Sequence, residues 1–391
     1  MEAQLKKIKA INQVSKELKN AADLDSLIEK LSGSRVVLLG EASHGTHEYY
    51  TWRTAITKRL IQEHGFNFIA VEGDWPDFYR VNRYVKHYSN SDSSSVEVLK
   101  QFNRWPTWMW ANWEMEALIN WLYRHNEALG ANERVGTYGL DVYSLWESME
   151  AIVDYLKTHD PSLMPAAKRA LGCFEPFGDE KGMAYARSLQ RYLPTTCENE
   201  VVHLLKEIKR HADHYNTDLE ASLNIEQNAH IAKNAEQYYR SMVHVNQSSW
   251  NLRDHHMMDT LKRLLYFHGP DAKAIVWAHN THVGDARATD MALEGSINVG
   301  QLVREQLPDL RPQIVGFGSY QGMVVAGAEW GAPMRQMKVP EAMHGSWEHL
   351  MHQTGKGDQL LFMDRIKDNP FFELPIGHRA IGVVYHPQHE R

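Results

Sequence analysis

The sequence predicts an α/β fold in which a mainly parallel sheet is flanked by helices, with a helical insertion and a smaller C-terminal α+β lobe. Short apolar runs of strand length recur along the chain, and segments with helical periodicity separate most of them. The runs are continuously apolar rather than alternating, as a parallel sheet covered on both faces requires. The middle of the chain, by contrast, carries almost no strand signal.

Six apolar runs are the candidate strands, and they lie at 34–41, 66–74, 134–141, 273–280, 312–320 and 379–387. The stretch 49–65 has helical periodicity and closes on Gly65, a residue that commonly ends helices. Between 145 and 268, amphipathic helices replace the strands. These patterns divide the chain into four predicted segments: a first part of the α/β core at 1–144, a helical insertion at 145–248, a second part of the core at 249–310, and a C-terminal lobe at 311–391.

The composition is that of an ordinary folded protein, with 43% hydrophobic and 23% charged residues. The formal net charge is -7, and Lys and Arg are scattered rather than clustered. No footprint for nucleic acid or for an acidic membrane surface is present, so neither is expected as a partner. A small neutral or cationic ligand fits this charge more easily, and the oligomeric state stays open.

The cysteine count and the N-terminal residues favour a cytoplasmic protein. The chain has two cysteines, Cys173 and Cys197, which argues against a disulfide framework, suits a reducing cytosol and excludes a four-cysteine zinc site. The first residues carry charges every few positions and lack the apolar core of a signal peptide. No apolar run is long enough to predict a membrane span.

Ionisable residues stand where four of the candidate strands end. In strand order these residues are Glu41 and His44, Glu72 and Asp74, Asp141, and His279 and His282. The carboxyl ends of parallel strands open onto one crevice where ligands bind, so the four ends predict one site. A single such acid is more often a helix N-cap or a loop hydrogen bonder, and the recurrence is what favours function.

This set of residues suits general acid–base chemistry, because a carboxylate beside an imidazole orients the ring and fixes its tautomer. No Gly-x-Ser-x-Gly motif for a serine nucleophile occurs. A dinucleotide Gly-x-Gly-x-x-Gly after the first strand and a Walker motif are also lacking, so no nucleotide cofactor is expected. Water is therefore the predicted nucleophile.

A metal site is the alternative use of the same residues. His279 and His282, together with Glu41, His44 and Glu72, could bind zinc or another transition metal. A His-x-x-His pattern is weak by itself, and a chain with 22 histidines produces such pairs by chance. No metal ligand is therefore assigned.

Outside the strand ends, further residues are candidates for substrate binding. A tryptophan-rich stretch at 103–123 is expected to pack helices on the sheet, and lining a cleft wall is the alternative. Trp108 and Trp110 are the pair in it that we expect to be exposed and to bind substrate. Arg253 either faces the site or forms a structural ion pair with a strand-end acid. Asp74, Asp141 and Asn280 complete the predicted substrate-binding set.

Five motifs resemble those of the erythromycin esterase family: "LLGEASHGTHEYYTWR", "FNFIAVEGDW", "YGLDVYS", "SWNLRDHHMMDTL" and "WAHNTHV". Their order and approximate spacing match over most of the chain, from about residue 34 to the early 300s. The resemblance implies an α/β core with an inserted helical part and a smaller second lobe.

The resemblance also implies hydrolysis of a lactone ester by water, with a histidine general base, no serine intermediate and no cofactor. By motif, His44 looks like the base and Glu41 like the acid that positions it. Supporting residues that would hold water and polarise the carbonyl are Arg53, Glu72, His279 and His282. Macrolide antibiotics are the most specific substrate that the family suggests, and some relatives bear labels from polysaccharide biosynthesis.

Two other classes of function remain open from the sequence. A metal- or haem-binding protein would use His44, His279 or His282 as ligands without hydrolysis. A structural partner in polysaccharide assembly would need a large exposed apolar patch. The hydrolase is preferred because acids outnumber imidazoles at the strand ends and no dedicated soft ligand is present.

Overall fold

The computed structural model describes residues 2–176, 184–187, 196–242 and 249–390. Its strands are β1 (Lys16–Glu17), β2 (Val36–Leu39), β3 (Phe68–Asp74), β4 (Gly136–Asp141), β5 (Ala274–Trp277), β6 (Gln313–Val315), β7 (Gly322–Ala326), β8 (Arg335–Val339) and β9 (Gln359–Leu360). Its helices are α1 (Glu2–Val14), α2 (Asp25–Ser32), α3 (His47–His64), α4 (Trp75–Val85), α5 (Ser95–Lys100), α6 (Trp113–Glu127), α7 (Leu145–His159), α8 (Met164–Phe174), α9 (Glu198–Arg210), α10 (Ala221–Ser241), α11 (Ser249–Phe267), α12 (Asn280–Val283), α13 (Val299–Gln306) and α14 (Trp347–His352).

The central sheet has five strands in the order β4, β3, β5, β2, β6, and every neighbouring pair is parallel. Alternate side chains of β2 enter different cores: Val37 and Leu39 pack on one face of the sheet, Val36 and Leu38 on the other. Helices cover both faces, which explains why the strand runs are continuously apolar. The predicted α/β class is confirmed.

A register shift between β3 and β4 lies at the functional edge of the sheet. The two strands pair regularly up to Val71, and the pairing resumes only at Asp74 opposite Asp141. The shift brings the backbone of Asp74 close to β4, where a Cβ on Gly139 would lie 2.4 Å from its carbonyl carbon. Glycine at this position therefore allows the close approach of the two strands.

The helices from α7 to α10 have a hydrophobic core of their own, with Leu145, Ile152, Leu204 and Ala235 among its buried members. The limit predicted for the helical insertion, residue 248, lies outside the described residues, and the domain boundaries stay predictions.

The two cysteines of this helical part, Cys173 and Cys197, form a disulfide. The cysteine count argued against a disulfide framework, yet a single bond here closes a sequence separation of 24 residues. Disulfides persist mainly in oxidising compartments, so this bond weighs against the reducing cytosol that the cysteine count favoured. No helix of the described residues is long and apolar enough to cross a membrane.

The sixth predicted strand, at 379–387, is wrong. Only two isolated bridges form there, from Ile381 to Ser43 and from Val384 to Gly327. Ser43 and Gly327 belong to different parts of the chain, and each bridge is a single residue pair, so the run 379–387 forms no continuous strand ladder. β7 and β8 form a separate antiparallel hairpin, whose Val325 amide donates to the carbonyl of Gly45 at 3.0 Å.

Gly139→Ala should destabilise the fold, because the added methyl group would overlap the Asp74 backbone. Overpacking of this kind costs about 1–3 kcal/mol in the free energy of unfolding, which urea unfolding followed by tryptophan fluorescence would measure. Gly33→Ala is the matched control: no atom lies within 4 Å of its added Cβ, so it should change stability by no more than about 0.5 kcal/mol. Equal stabilities of the two variants would contradict this account of the strand contact.

Candidate active site

A cavity of about 320 Å³ opens at the carboxyl edge of the sheet, where the four strand ends meet. The predicted strand-end residues that line it are His44, Glu72, Asp74, Asp141, His279 and His282. Parallel pairing of β2, β3, β4 and β5 brings these residues together, as the sequence predicted.

His44 lies between the cavity and a buried ion pair. Its Nδ1 is 3.0 Å from Oε1 of Glu41, and the other carboxylate oxygen of Glu41 accepts from Nη2 of Arg53 at 2.5 Å. The Tyr50 hydroxyl, on the first turn of α3, donates to the His44 carbonyl at 2.7 Å and fixes the loop after β2. His44 therefore presents its ring to the cavity while Nδ1 stays bound behind it.

Arg53 does not reach the cavity. Its side chain is fully buried, and its guanidinium lies over the rings of Tyr50 and Trp277, at 4.9 Å and 4.5 Å from their centroids. Its Nε and Nη1 donate to no acceptor within the described ranges. Arg53 and Glu41 thus form a layer beneath His44, and Arg53 acts on the site only through Glu41.

Glu72 lies at the centre of a second charged cluster. Its Oε1 accepts from Nη2 of Arg253 at 2.7 Å, and its Oε2 accepts from the His279 amide at 2.8 Å. Arg253 also makes two hydrogen bonds to Asp141, at 2.9 Å and 2.6 Å. Burial raises the pKa of Glu72, but His282 and Arg253 outweigh it and hold the pKa well below its usual value. Arg253 is therefore both a cavity residue and an ion-pair partner of strand-end acids.

His282 is held between two carboxylates. Its Nδ1 is 3.0 Å from both oxygens of Asp254, and its Nε2 is 3.3 Å from Oε1 of Glu72. The ring stacks on Trp250 with centroids 4.4 Å apart. Burial lowers the pKa of His282, but Asp254 and Glu72 outweigh it and raise the pKa to about 9. The raised pKa favours the protonated ring, whose Nδ1–H donates to Asp254, while Nη1 of Arg253 lies 3.0 Å from Nε2.

His279 has the opposite electrostatics. Burial first, and then the neighbouring His44, lower its pKa to about 3, so the ring is neutral. The Thr281 amide donates to Nδ1 at 3.3 Å as a helix cap, which places the single ring proton on Nε2. Nε2 is buried and has no hydrogen-bond partner among the described residues, and the ring centroid lies 4.9 Å from that of His44. His279 therefore offers an unused donor beside His44.

The outer part of the cavity holds residues that sequence reasoning did not select. Arg104 forms an ion pair with Asp74, and its guanidinium lies 5.1 Å from the Tyr143 ring centroid. Tyr143 also faces Arg253 at 4.8 Å, so its ring lies within reach of two guanidinium groups. Arg104 carries no sequence signal of its own, whereas Tyr143 lies in the "YGLDVYS" motif, two residues after Asp141.

Asp254 was also missed, although it directly follows Arg253 in the sequence. Adjacent helix positions point about 100° apart, which favoured only one of the two. Both reach the site in the structure, Arg253 by lining the cavity and Asp254 through His282. The charged pair in the "NLRDHHMM" motif was the signal that could have found it.

Two predicted substrate-binding residues lie outside the cavity lining, and a third is buried. Trp108 packs against the main core, and the side-chain amide of Asn280 donates to the Phe317 carbonyl at 2.6 Å. Trp110 lines the cavity but is only 6% exposed, because its indole N–H donates to the Glu72 carbonyl at 3.0 Å. The expectation that Trp108 and Trp110 are an exposed pair is wrong.

The arrangement can perform acid–base chemistry with histidines in three different environments. One imidazole is oriented by a carboxylate, one is neutral and a donor, and one is protonated. Among the described ranges, no group of three or more His, Cys, Asp or Glu side chains is placed so that it could hold a metal ion.

The chain is similar to known proteins over most of its length. A family model described as erythromycin esterase matches residues 61–391. The erythromycin esterase type II of Escherichia coli is 23% identical over 387 residues, covering 90% of this chain and 85% of that protein.

Two solved structures share the fold. A succinoglycan biosynthesis protein superposes with a TM-score of 0.76 at 20% identity, covering 100% of this chain and 95% of that chain. An erythromycin esterase mutant, EreC in its open conformation, gives a TM-score of 0.64 at 15% identity, covering 87% and 85%. At these identities the likeness is one of fold.

The stability contributed by His282 should depend on pH. Folding raises its pKa from 6.5 to about 9, so its contribution is fully present below about pH 6.5 and is lost as the pH rises through 9. At pH 6.5 the wild type should therefore be more stable than His282→Gln. The difference between their free energies of unfolding, measured in urea, should shrink by up to about 3 kcal/mol as the pH rises to about 10.

His255→Gln is the matched control for this measurement, because His255 is exposed on α11, the helix that carries Asp254, the partner of His282. Its difference from the wild type should not vary over this pH range. A pH-independent difference for His282→Gln as well would contradict a protonated His282.

Proposed function

We propose that this chain, which belongs to the erythromycin esterase family, hydrolyses a carboxylic ester or macrolactone with water that His44 activates. One observation carries the proposal: His44 lines the cavity while its Nδ1 is held by the buried Glu41–Arg53 pair. A base needs a fixed tautomer and a free nitrogen on the reactant side, and this geometry supports both.

In the proposed reaction, Nδ1–H of His44 donates to Glu41, which leaves the Nε2 lone pair for a water molecule. His44 Nε2 makes no hydrogen bond with a described residue. The water gives its proton to Nε2, and its oxygen attacks the ester carbonyl. Collapse of the tetrahedral intermediate then transfers that proton to the departing alkoxide, which leaves as the alcohol.

We assign stabilisation of the oxyanion to His279 rather than to Arg53. The unpartnered Nε2–H of His279 lies beside His44, whereas the Arg53 guanidinium is enclosed beneath Glu41. A donor aimed where charge develops accelerates the reaction because it needs no reorganisation. Arg53 is in this account a positioning residue that holds Glu41.

The cluster around Glu72 would keep His279 in place. The His279 amide donates to Glu72, and Arg253 and His282 in turn fix the Glu72 carboxylate. The buried charges of this cluster are paired, as burial requires. Its proposed role is to hold the donor rigidly rather than to exchange protons with the substrate.

A macrolide antibiotic is the most specific substrate that we propose, and antibiotic resistance would be its consequence. The support is the family and the name of the Escherichia coli relative at 23% identity. A volume of about 320 Å³ is near the small end of ligand sites, so the cavity would enclose the ester and the groups next to it.

His44→Asn should slow turnover strongly, because it removes the proposed general base. Mass spectrometry of macrolides and simple lactones incubated with the wild type should reveal a product heavier by one water, and the variant should be slower by about 10²- to 10⁴-fold. His47→Asn is the matched control, since His47 is exposed and pairs with Glu114 away from the cavity. Full turnover by His44→Asn would remove the mechanism, and no product from any substrate would withdraw the macrolide assignment.

His279→Phe should lower kcat by about 10²- to 10³-fold with a smaller effect on KM, because a phenyl ring fills the space without the Nε2–H donor. Thr281→Val is the comparison: it removes the hydroxyl at 2.8 Å from Nδ1 but leaves Nε2–H in place, so the loss should be smaller. Steady-state kinetics on any substrate from the panel would measure both. A wild-type kcat for His279→Phe would contradict this assignment.

A further inference from the structure

We propose that the outer part of the cavity, which Asp77, Trp105 and Trp330 help to line, binds a cationic amine carried by the substrate. All three residues line the cavity that holds His44. The inference rests on the proposed function in assigning the amine to the substrate, but binding of a cation can be measured without turnover.

The first argument is charge. Asp77 makes no hydrogen bond or ion pair with any described residue, although it lies on the first turn of α4, one turn after Asp74. Arg104 is already paired with Asp74 and stacked near Tyr143. Two carboxylates therefore face one guanidinium in this part of the cavity, and an incoming cation would restore the balance.

The second argument is the carboxylate of Asp74, which lines the same cavity and is only 6% exposed. Arg104 donates to one of its oxygens, Oδ2, but Oδ1 is buried and accepts no hydrogen bond from the part of the chain that the structure describes. Buried carboxylate oxygens are normally satisfied, so an unpartnered one indicates a missing ligand group. A protonated or quaternary amine beside Asp77 would supply the missing positive charge.

The third argument is aromatic. The rings of Trp105 and Trp330 have centroids 4.6 Å apart and planes tilted by 57°. The Trp105 indole N–H donates to the Ala332 carbonyl at 2.9 Å, which fixes it against the turn between β7 and β8. Trp330 is 66% exposed, so core packing does not explain its position. Tilted indole faces next to a carboxylate are the usual recognition elements for ammonium groups.

The electrostatics of Asp77 agree with this assignment. Burial and the charge of Asp74 raise its pKa to about 7, with Glu147 acting in the same direction and Arg104 and Arg80 opposing them. A cation bound beside the carboxylate would lower this pKa. Binding should therefore strengthen as the pH rises through 7.

The test uses choline and its neutral isostere 3,3-dimethylbutan-1-ol, titrated into the full-length protein by calorimetry. Choline should bind at least about tenfold more tightly than the alcohol, and this preference should fall to within about twofold in Asp77→Asn. Between pH 6 and 8 the affinity for choline should rise about tenfold in the wild type and stay constant in Asp77→Asn.

Trp330→Ala is the second variant, chosen because the exposed indole can be removed without disturbing the core; it should weaken choline binding by about threefold or more. Trp113→Ala, which removes an 82% exposed indole outside the cavity, is the control and should bind like the wild type. Equal affinity for choline and the alcohol, or an unchanged preference in both Asp77→Asn and Trp330→Ala, would overturn the proposal. His44→Asn should still bind choline, so failure of the hydrolase mechanism and failure of the amine site are distinguishable.

Discussion

The carboxylate of Glu72 joins three parts of the chain at the end of β3. One oxygen accepts from Arg253 on α11, and the other accepts from the amide of His279 after β5. Burying this charge costs several kcal/mol unless its hydrogen bonds are complete. The requirement fixes the relative positions of α11, β3 and β5, and thereby the direction in which His279 and His282 point.

This constraint accounts for the different pKa values of His279 and His282. His282 shares Glu72 with Arg253 and has Asp254 on its other side, which raises its pKa to about 9. Glu72 accepts a hydrogen bond from the backbone amide of His279 and not from its ring. Burial of the ring and the neighbouring His44 lower the pKa of His279 to about 3. One carboxylate cluster thus keeps one ring charged and the next ring neutral, and pairs of groups with such separated pKa values are typical of acid–base sites.

The sequence predicted the strands and the meeting of their ends, because buried parallel strands leave continuous apolar runs and parallel pairing places every carboxyl end at one edge. It did not predict Arg104, which lines the cavity from a loop without periodic pattern, or Asp254, which reaches the site only through His282. Trp108 and Trp110 were misplaced because tryptophan content does not say which face a ring takes. The run at 379–387 looked like a strand, but its bridging partners, Ser43 and Gly327, are far apart in the sequence.

Hydrolysis of an active substrate in ¹⁸O-labelled water, with enzyme in excess and intact-protein mass spectrometry at early times, tests the central claim most directly. Attack by water activated at His44 predicts one ¹⁸O atom in the carboxylate product of the first turnover and an unchanged protein mass throughout. A transient increase of the protein mass by the acyl group would show a protein nucleophile. A first-turnover carboxylate without ¹⁸O would show that water does not attack the ester carbonyl. Either result would contradict the account.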